Sequence, residues 1–368
     1  MTEPEIIAAL RLQAIPNIGD ITSKKLIAHC GSPNAIFKDK MRNLLKIEGI
    51  GEMTLKGLYD TIYLKEAEAE YKYVMDKKIE FSYFEDRDYP YNLKHCIDGP
   101  ILLFRRGKMN LRSTKIISVV GTRNITGYGT SFCEAFIEEI APLNPIIASG
   151  FAYGVDITIQ KLAIEAGLQT IGCLAHGLNQ MYPKVHKKYV SKIEENGGFL
   201  TEFWSTSNPD RENFLKRNRI IAGLSEATIV IESAEKGGSL VTADLANGYN
   251  REVFAVPGRS TDKFSKGCND LIKRQKAHML TSAAELVYLL GWDLEEKKEK
   301  EAIQKQLFVS LDETEQSIYS YLQMNGKQIL DIVALECKLP IHKTSSTLFN
   351  MEMKGVVRPL PGKLFEAI

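Results

Sequence analysis

The chain has 368 residues, of which 44% are hydrophobic and 25% charged, and its formal net charge is +1. This composition is typical of globular proteins and excludes collagen-like, wholly disordered and membrane-spanning classes, while the length predicts two or three domains. The small net charge excludes a protein that coats nucleic acid through an overall basic excess, so any nucleic-acid site must be local. The six cysteines show no short C-x-x-C spacing, and we expect neither a disulfide framework nor a metal site.

Residues 1–75 are predicted to form a helical domain. Glu3 and Glu5 stand where a signal peptide needs basic residues, and no apolar run is long enough to span a membrane, so a cytoplasmic protein without membrane contact is expected. Two related turns, at 16–19 and 47–51, each precede a helical stretch. They indicate an approximate internal duplication.

Residues 76–292 change to short β-rich runs, each followed by a loop with Gly or Ser and then by a helical stretch. Strands that alternate with helices predict an α/β domain with a parallel sheet covered on both faces. The region around 81–104 adds a further strand and loop. The predicted strands are 116–120, 146–149, 170–174, 198–201, 228–231 and 252–256.

The end of the chain is predicted to contain a linker and a small domain. Residues 293–306 carry mixed charge without apolar periodicity, which is typical of a linker. Residues 307–368 show three helical stretches and a hairpin with Pro361 and Gly362 at its turn. This pattern indicates a winged-helix-like domain. The helical stretches are 314–323, 329–335 and 344–354, and the hairpin is 356–365.

The first strand of the predicted sheet ends in a loop suited to bind an anion. Residues 116–120 run into Gly121, Thr122 and Arg123, and a helix start follows at 126–129. This order places free backbone N–H groups and a fixed cation at a helix N-terminus. The alternative is a turn that needs glycine only for packing.

Two further loops repeat this arrangement. Ser149 and Gly150 follow the second strand, and because ligands of open α/β sheets bind at the carboxyl ends of the strands, both loops would border one crevice. Asp156 in the same segment either caps the next helix or orients a partner. The loop after the fifth strand offers small residues and hydroxyl groups to a phosphate at a third helix start. These residues are Gly238, Ser239 and Thr242.

Two basic segments accompany the loops. One follows the third strand, where lysines beside Tyr182 suit a strand of nucleic acid or, alternatively, form a solvated helix face. The other precedes an apolar helical run whose one face must be buried, so at least one of its two arginines should point into the crevice. Alternatively, one of these arginines pairs with an acidic neighbour. The candidate DNA-binding residues of both segments are Lys184, Lys187, Lys216, Arg217, Asn218 and Arg219.

Over about residues 83–290 the order of motifs resembles the DNA-processing protein A (DprA/Smf) family. The series runs V-V-G-T-R, S-G-F-A-Y-G-V-D, G-L-N-Q-M-Y-P, F-L-K-R-N-R-I-I-A-G-L-S, G-G-S-L-V-T-A, V-F-A-V-P-G and G-C-N-D-L-I-K. The resemblance implies an extended Rossmann-like domain that binds single-stranded DNA in a basic pocket, dimerises through the same domain, and passes DNA to the RecA recombinase in natural transformation. It implies no catalytic residue and no cofactor. It places Arg123 in the pocket and Lys184, Arg217 and Arg219 in its wall.

The chain departs from the family pattern at two places. Ile159 and Gln160 stand where the family commonly has Ala-His, and Val185 and His186 stand where Asn is frequent. The flanking regions also show resemblances. Residues 16–27 and 48–58 resemble helix-hairpin-helix units, and the C-terminal segment resembles an appended winged helix whose balanced charge favours protein contact over DNA reading.

An enzyme is the main alternative, because nucleotide phosphoribohydrolases have this type of sheet. Their P-G-G-x-G-T-x-x-E loop carries a glutamate that serves the hydrolysis, whereas residues 236–245 contain only Asp244. A small-ligand module such as a dinucleotide-binding domain is the second alternative. One or two cations suffice for a pyrophosphate, so the larger number of basic residues favours single-stranded DNA, which repeats a phosphate at each nucleotide.

Overall fold

The computed structural model describes residues 1–112, 115–292, 311–360 and 364–367. These residues form two compact units, one before and one after residues 293–310. The predicted linker at 293–306 and the predicted hairpin turn at Pro361 and Gly362 lie outside the described residues. No helix in the described ranges is long and apolar enough to cross a membrane.

The chain begins with a group of helices: α1 (Glu3–Ala14), α2 (Asp20–Cys30), α3 (Pro33–Ile36), α4 (Met41–Leu44) and α5 (Thr61–Asp76). The turn at 16–19 leads into α2 as predicted. After the second turn, however, residues 52–59 form successive turns, so the prediction of a helical stretch there is wrong. Gly57 adopts φ +86°, and this left-handed conformation interrupts a right-handed helix.

A nine-stranded sheet follows, in the order β1-β2-β6-β5-β4-β3-β7-β8-β9. Its strands are β1 (Glu80–Tyr83), β2 (Leu102–Gly107), β3 (Ile116–Gly121), β4 (Ile146–Ser149), β5 (Thr170–Cys173), β6 (Gly197–Thr201), β7 (Ala227–Ile231), β8 (Glu252–Ala255) and β9 (His278–Met279). The strands from β6 to β9 along this order pair in parallel, and β1 and β2 are antiparallel additions at one edge. The predicted α/β fold with a large, mostly parallel sheet is confirmed.

Helices cover both faces of this sheet, because alternate residues of its buried strands face opposite sides. They are α6 (Tyr91–Lys94), α7 (Gly127–Ile140), α8 (Val155–Glu165), α9 (Val190–Glu195), α10 (Arg211–Leu224), α11 (Gly238–Gly248), α12 (Lys266–Lys273) and α13 (Ala283–Leu289). In β3, Ile117 and Val119 join the core beneath α7 and α8. Ile116 and Val120 join the opposite core, beneath α10 and α11.

The position of β3 determines where a ligand crevice forms. β3 lies between β4 and β7, so successive strands run outward from it first in one direction and then in the other. At such a reversal the loops after the two neighbouring strands separate and leave a crevice at their carboxyl ends. The crevice therefore lies beyond the ends of β3 and β7.

The second unit contains α14 (Glu313–Asn325), α15 (Leu330–Glu336) and α16 (Ile341–Met353), with strands β10 (Gln328–Ile329), β11 (Val357–Leu360) and β12 (Leu364–Ala367). Its three strands pair antiparallel in the order β10-β12-β11. Ile318, Leu322, Leu348 and Met351 form the centre of its small core. The side chain of Asp312 accepts a hydrogen bond from the backbone of Glu315 and thereby fixes the start of α14.

Candidate functional site

A cleft of about 800 Å³ lies at the carboxyl ends of β3 and β7, where the sheet order reverses. Its walls come from the loop after β3, the start of α8, one face of α10 and the start of α11. Eight of the predicted DNA-binding residues line it, and they are Gly121, Thr122, Arg123, Arg217, Asn218, Gly238, Ser239 and Thr242.

An aromatic ring lies between the two arginines of this cleft. The guanidinium carbon of Arg123 is 5.4 Å from the ring centroid of Phe214, and that of Arg217 is 5.6 Å from the same centroid. The ring of Tyr182 meets Phe214 at 6.0 Å in an edge contact. Cations grouped around a half-buried ring can bind phosphates beside a base that contacts the ring.

Sequence reasoning missed Arg211 and Phe214 as cleft residues. Both lie on α10 and line the cleft together with Arg217 and Asn218. The signal was available in the spacing, since residues three and four apart share one helix face, and Arg211, Phe214 and Arg217 follow one another at intervals of three. Lys236 adds a further cation at the opposite wall.

Arg217 forms the floor of the cleft and is only 4% exposed. Its guanidinium donates hydrogen bonds to the carbonyl oxygens of Gly150, at 2.7 Å, and of Cys173. Burial raises the pKa of the neighbouring Asp156, and the charge of Arg217 opposes that rise. Asp156 also accepts a hydrogen bond from the backbone N–H of Ala152, so this carboxylate holds the loop below the arginine.

Ser149 and Gly150 lie beneath the cleft and do not line it. The hydroxyl of Ser149 donates to the carbonyl oxygen of Val119 at 2.6 Å. A Cβ atom at Gly150 would approach Asp156 Oδ2 to 2.6 Å and the nearest guanidinium nitrogen of Arg217 to 2.7 Å. Glycine is therefore required there, because a larger residue would collide with both side chains, and Ser149 and Gly150 lie below Arg217.

The predicted anion site at the start of α7 is occupied by the protein itself. Glu232, which is 4% exposed, accepts hydrogen bonds from the backbone N–H of Thr126 at 2.9 Å and from its hydroxyl. Glu232 adopts φ +55°, an unusual conformation for this residue type that directs its carboxylate to the helix start. The expectation that the α7 start binds an external anion is therefore wrong.

The start of α11 stays open to the cleft. The backbone N–H groups of Gly238 and Ser239 have no hydrogen-bond acceptor among the described residues. The hydroxyl of Ser239 donates to Ser233 Oγ at 2.9 Å, so Ser239 presents its amide and not its hydroxyl proton to a ligand. The free helix start and the cations around it suit one phosphate group.

Arg219 does not line the cleft, and its predicted place in the wall is wrong. Arg219 is two positions after Arg217, and this spacing corresponds to a rotation of about 200° around the helix axis. Arg219 therefore faces the N-terminal helices, where it pairs with Asp20 at 2.9 Å and with Glu202. Because both partners are largely buried carboxylates, the charge of Arg219 is used within the protein and not for DNA.

The remaining predicted lysines also lie outside the cleft. Lys184 and Lys187 are exposed on the 3-10 helix Lys184–Tyr189. Lys216 lines a separate cavity of about 330 Å³ between the N-terminal helices and the sheet, together with Asp20 and Glu202. In this cavity burial raises the pKa of Glu202 to about 7, although Arg219 opposes the shift.

Comparison with known proteins identifies the family of this chain. The model of the family described as DNA recombination-mediator protein A matches residues 80–291. The chain belongs to this family. DNA processing protein DprA of Bacillus subtilis is 38% identical over 201 residues, which are 54% of this chain and 67% of that protein. Protein Smf of Escherichia coli is 33% identical over 279 residues, 74% of each chain.

Two solved structures of family members resemble the fold. The X-ray structure of DprA from Streptococcus pneumoniae aligns with a TM-score of 0.65 at 28% identity, covering 78% of this chain and 98% of that one. A structure of DprA from Helicobacter pylori, described for its single-stranded DNA binding mode, aligns with a TM-score of 0.52 at 28% identity, covering 57% and 95%. Within the described residues, no group of three His, Cys, Asp or Glu side chains could hold a metal ion.

Proposed function

We propose that this member of the DNA recombination-mediator protein A family binds single-stranded DNA in the cleft and does not catalyse a reaction. The observation that carries the proposal is the charge of the cleft. Among the described residues that line it, Arg123, Arg211, Arg217 and Lys236 face a single carboxylate, that of Asp156. The family member from Helicobacter pylori, described for its single-stranded DNA binding mode, supports the same ligand.

The cleft offers separate groups to phosphates and to bases. Arg123 and the free amides of Gly238 and Ser239 would hold phosphate oxygens, while Phe214 would stack on a base. Arg217 would act mainly by fixing this floor and by its field, since its hydrogen bonds go to the protein. Outside the cleft, exposed Lys184 and Lys187 are available to a strand that extends beyond it.

The test is fluorescence anisotropy of labelled single-stranded and double-stranded oligonucleotides over a salt series. Wild-type protein should prefer single strands and lose affinity steeply with salt. Arg123→Ala should weaken binding and reduce the slope of log K against log salt by about 0.7, the value for one phosphate contact on a single strand. Arg87→Ala, at an exposed arginine that does not line the cleft, is the matched control.

Unchanged affinity and slope in Arg123→Ala would contradict the proposal. The remaining interpretation would then be a nucleotide-binding or phosphoribohydrolase-like protein, which tight binding or turnover of nucleoside monophosphates would support. The segment 236–245 offers Asp244 in place of the hydrolytic glutamate, and Asp244 pairs with Lys276 at 2.8 Å. This pairing argues against a catalytic role for Asp244.

We further propose a cytoplasmic homodimer that assembles through the sheet domain and transfers its strand to RecA in natural transformation or recombination. The edge strand β9 supports the dimer, since Met279 on it is 52% exposed. Sedimentation equilibrium of wild type and Met279→Asp tests the dimer, and a monomeric wild type would exclude it. Failure to stimulate RecA filament formation on coated single strands would exclude the transfer.

The flanking regions receive narrower proposals. We assign residues 1–75 as a helix-hairpin-helix-like packing domain, because Asp20 at the start of α2 bonds the backbone N–H of Ile101 at 2.9 Å and pairs with Arg219. We assign residues 307–368 as a winged-helix-like domain, because three helices and an antiparallel strand pair occur in that order. Binding of double-stranded DNA through residues 1–75 would contradict the packing role.

A further inference from the structure

A third cavity, of about 650 Å³, lies between α2 and the segment that follows α6. We call it the α2 groove and define it by Ile21, Lys25, Phe84, Lys94, His95 and Ile97. Among the described residues, none lines both this groove and the DNA cleft. The two sites are therefore separate surfaces of the same unit.

The mouth of the α2 groove is aliphatic. The side chain of Ile97 is 69% exposed and that of Ile21 is 40% exposed. Behind them, Phe84 is half-buried. Large apolar side chains grouped at a cavity mark an interaction site more often than isolated ones do, because water contact with the group is unfavourable.

The rim of the groove is basic. Lys25 donates to the carbonyl oxygen of Glu48 at 3.3 Å and Lys94 to that of Glu85 at 3.4 Å, and within the described part of the chain neither lysine forms an ion pair. Both ammonium groups are therefore available to a carboxylate of a ligand. The imidazole of His95 lines the groove together with these two lysines. The acidic group of the lining is the carboxylate of Glu85.

Lys24 fixes the far wall of the groove. Its ammonium donates to the carbonyl oxygens of Cys96 at 3.0 Å and Ile97 at 3.3 Å. It also lies 5.5 Å from the ring centroid of Phe84. These contacts hold the backbone of Ile97 in place, so the groove is formed before a ligand arrives.

We propose that the α2 groove binds a short acidic peptide segment of a partner protein, with one bulky apolar side chain inserted between Ile21 and Ile97. The carboxylates of the peptide would meet Lys25 and Lys94. A nucleic acid fits less well, because bases stack on aromatic faces and the large apolar side chains exposed here, Ile21 and Ile97, are aliphatic.

The test uses full-length protein and a fluorescein-labelled peptide in which aspartates flank one phenylalanine. Ile97→Asp and Lys94→Glu should each weaken binding about tenfold or more. Met53→Asp, at a side chain 70% exposed on the N-terminal region, and Lys65→Glu, at an exposed lysine of α5, are the matched controls and should bind as wild type does. Peptides with serine for phenylalanine or asparagine for aspartate should bind more weakly.

Single-stranded DNA affinity separates this proposal from that for the cleft. It should be unchanged in Ile97→Asp, which also shows that the variant is folded. Absence of peptide binding to wild type, or equal binding by Ile97→Asp and Met53→Asp, would overturn the proposal. Displacement of the peptide by an oligonucleotide, with loss of DNA affinity in Ile97→Asp, would likewise overturn it and assign the groove to nucleic acid.

Discussion

Glu202 should make the protein less stable as the pH rises through neutrality. Arg219 is shared between Glu202 and Asp20. The Oε1 atom of Glu202 has no hydrogen-bond partner among the described residues, so protonation of this carboxylate is favourable. Burial raises the pKa of Glu202 from 4.5 to about 7. Between these values the folded chain binds one proton more than the unfolded chain, so stability present below pH 4.5 is lost as the pH rises through about 7.

The magnitude follows from the two pKa values. Their difference corresponds to about 3 kcal/mol of unfolding free energy, most of which is lost between pH 5 and 7. Glu202→Gln keeps the shape of the side chain and removes its titration. The difference in unfolding free energy between the variant and wild type should therefore change by up to about 3 kcal/mol in favour of the variant across that range. A constant difference between the two proteins does not affect this change.

Trp204 provides a local probe for this measurement. It lines the same cavity as Glu202, and its indole N–H donates to Gln13 at 2.9 Å. The chain has two tryptophans, so Trp292→Phe leaves Trp204 as the fluorophore during urea unfolding from pH 5 to 8. The Glu202→Gln substitution is compared with its parent, both carrying Trp292→Phe, and a difference in stability that does not vary with pH would refute the raised pKa.

Three further predictions concern stability and are read from urea unfolding curves. Arg217→Met should cost about 3–5 kcal/mol, since it removes two charge-assisted hydrogen bonds to the buried carbonyl oxygens of Gly150 and Cys173, and a loss no larger than that of the exposed Arg87→Met would contradict this. Glu232→Gln should cost about 1–2 kcal/mol by removing the charge at the start of α7, and unchanged stability would show that α7 does not need it. Gln160→Met should stabilise by about 1–2 kcal/mol, because the buried amide of Gln160 has no hydrogen-bond partner among the described residues; a loss would show that the amide is satisfied.

The sheet and its cleft could be predicted from the sequence because their signals are local. Each strand is a short β-rich run followed by a glycine loop, and the carboxyl ends of parallel strands lie at one edge. The place of Arg219 could not be predicted in this way. Its partner Asp20 is 199 positions away in sequence, and only the packing of α2 against the sheet brings the two together.

The role of Glu232 was hidden for a related reason. Glycine loops at helix starts indicate free amides, but a sequence does not say whether a carboxylate of another strand reaches them first. Glu232 lies more than one hundred positions beyond Thr126, and the parallel pairing of β3 with β7 brings the two together. Phe214, by contrast, was accessible from its spacing to Arg217 along one helix.

Helix α10 contacts two different parts of the protein. Arg217 lies beneath the cleft, and Arg219 lies against the N-terminal helices. A shortened protein that starts at the sheet would leave Arg219 on α10 without its partner Asp20. Such a fragment would differ from the whole chain in the surroundings of α10, which forms one wall of the cleft, as well as in its length. Residues 1–75 therefore belong to the surroundings of α10, the helix that carries Phe214 and Arg217, and DNA binding should be measured on the whole chain.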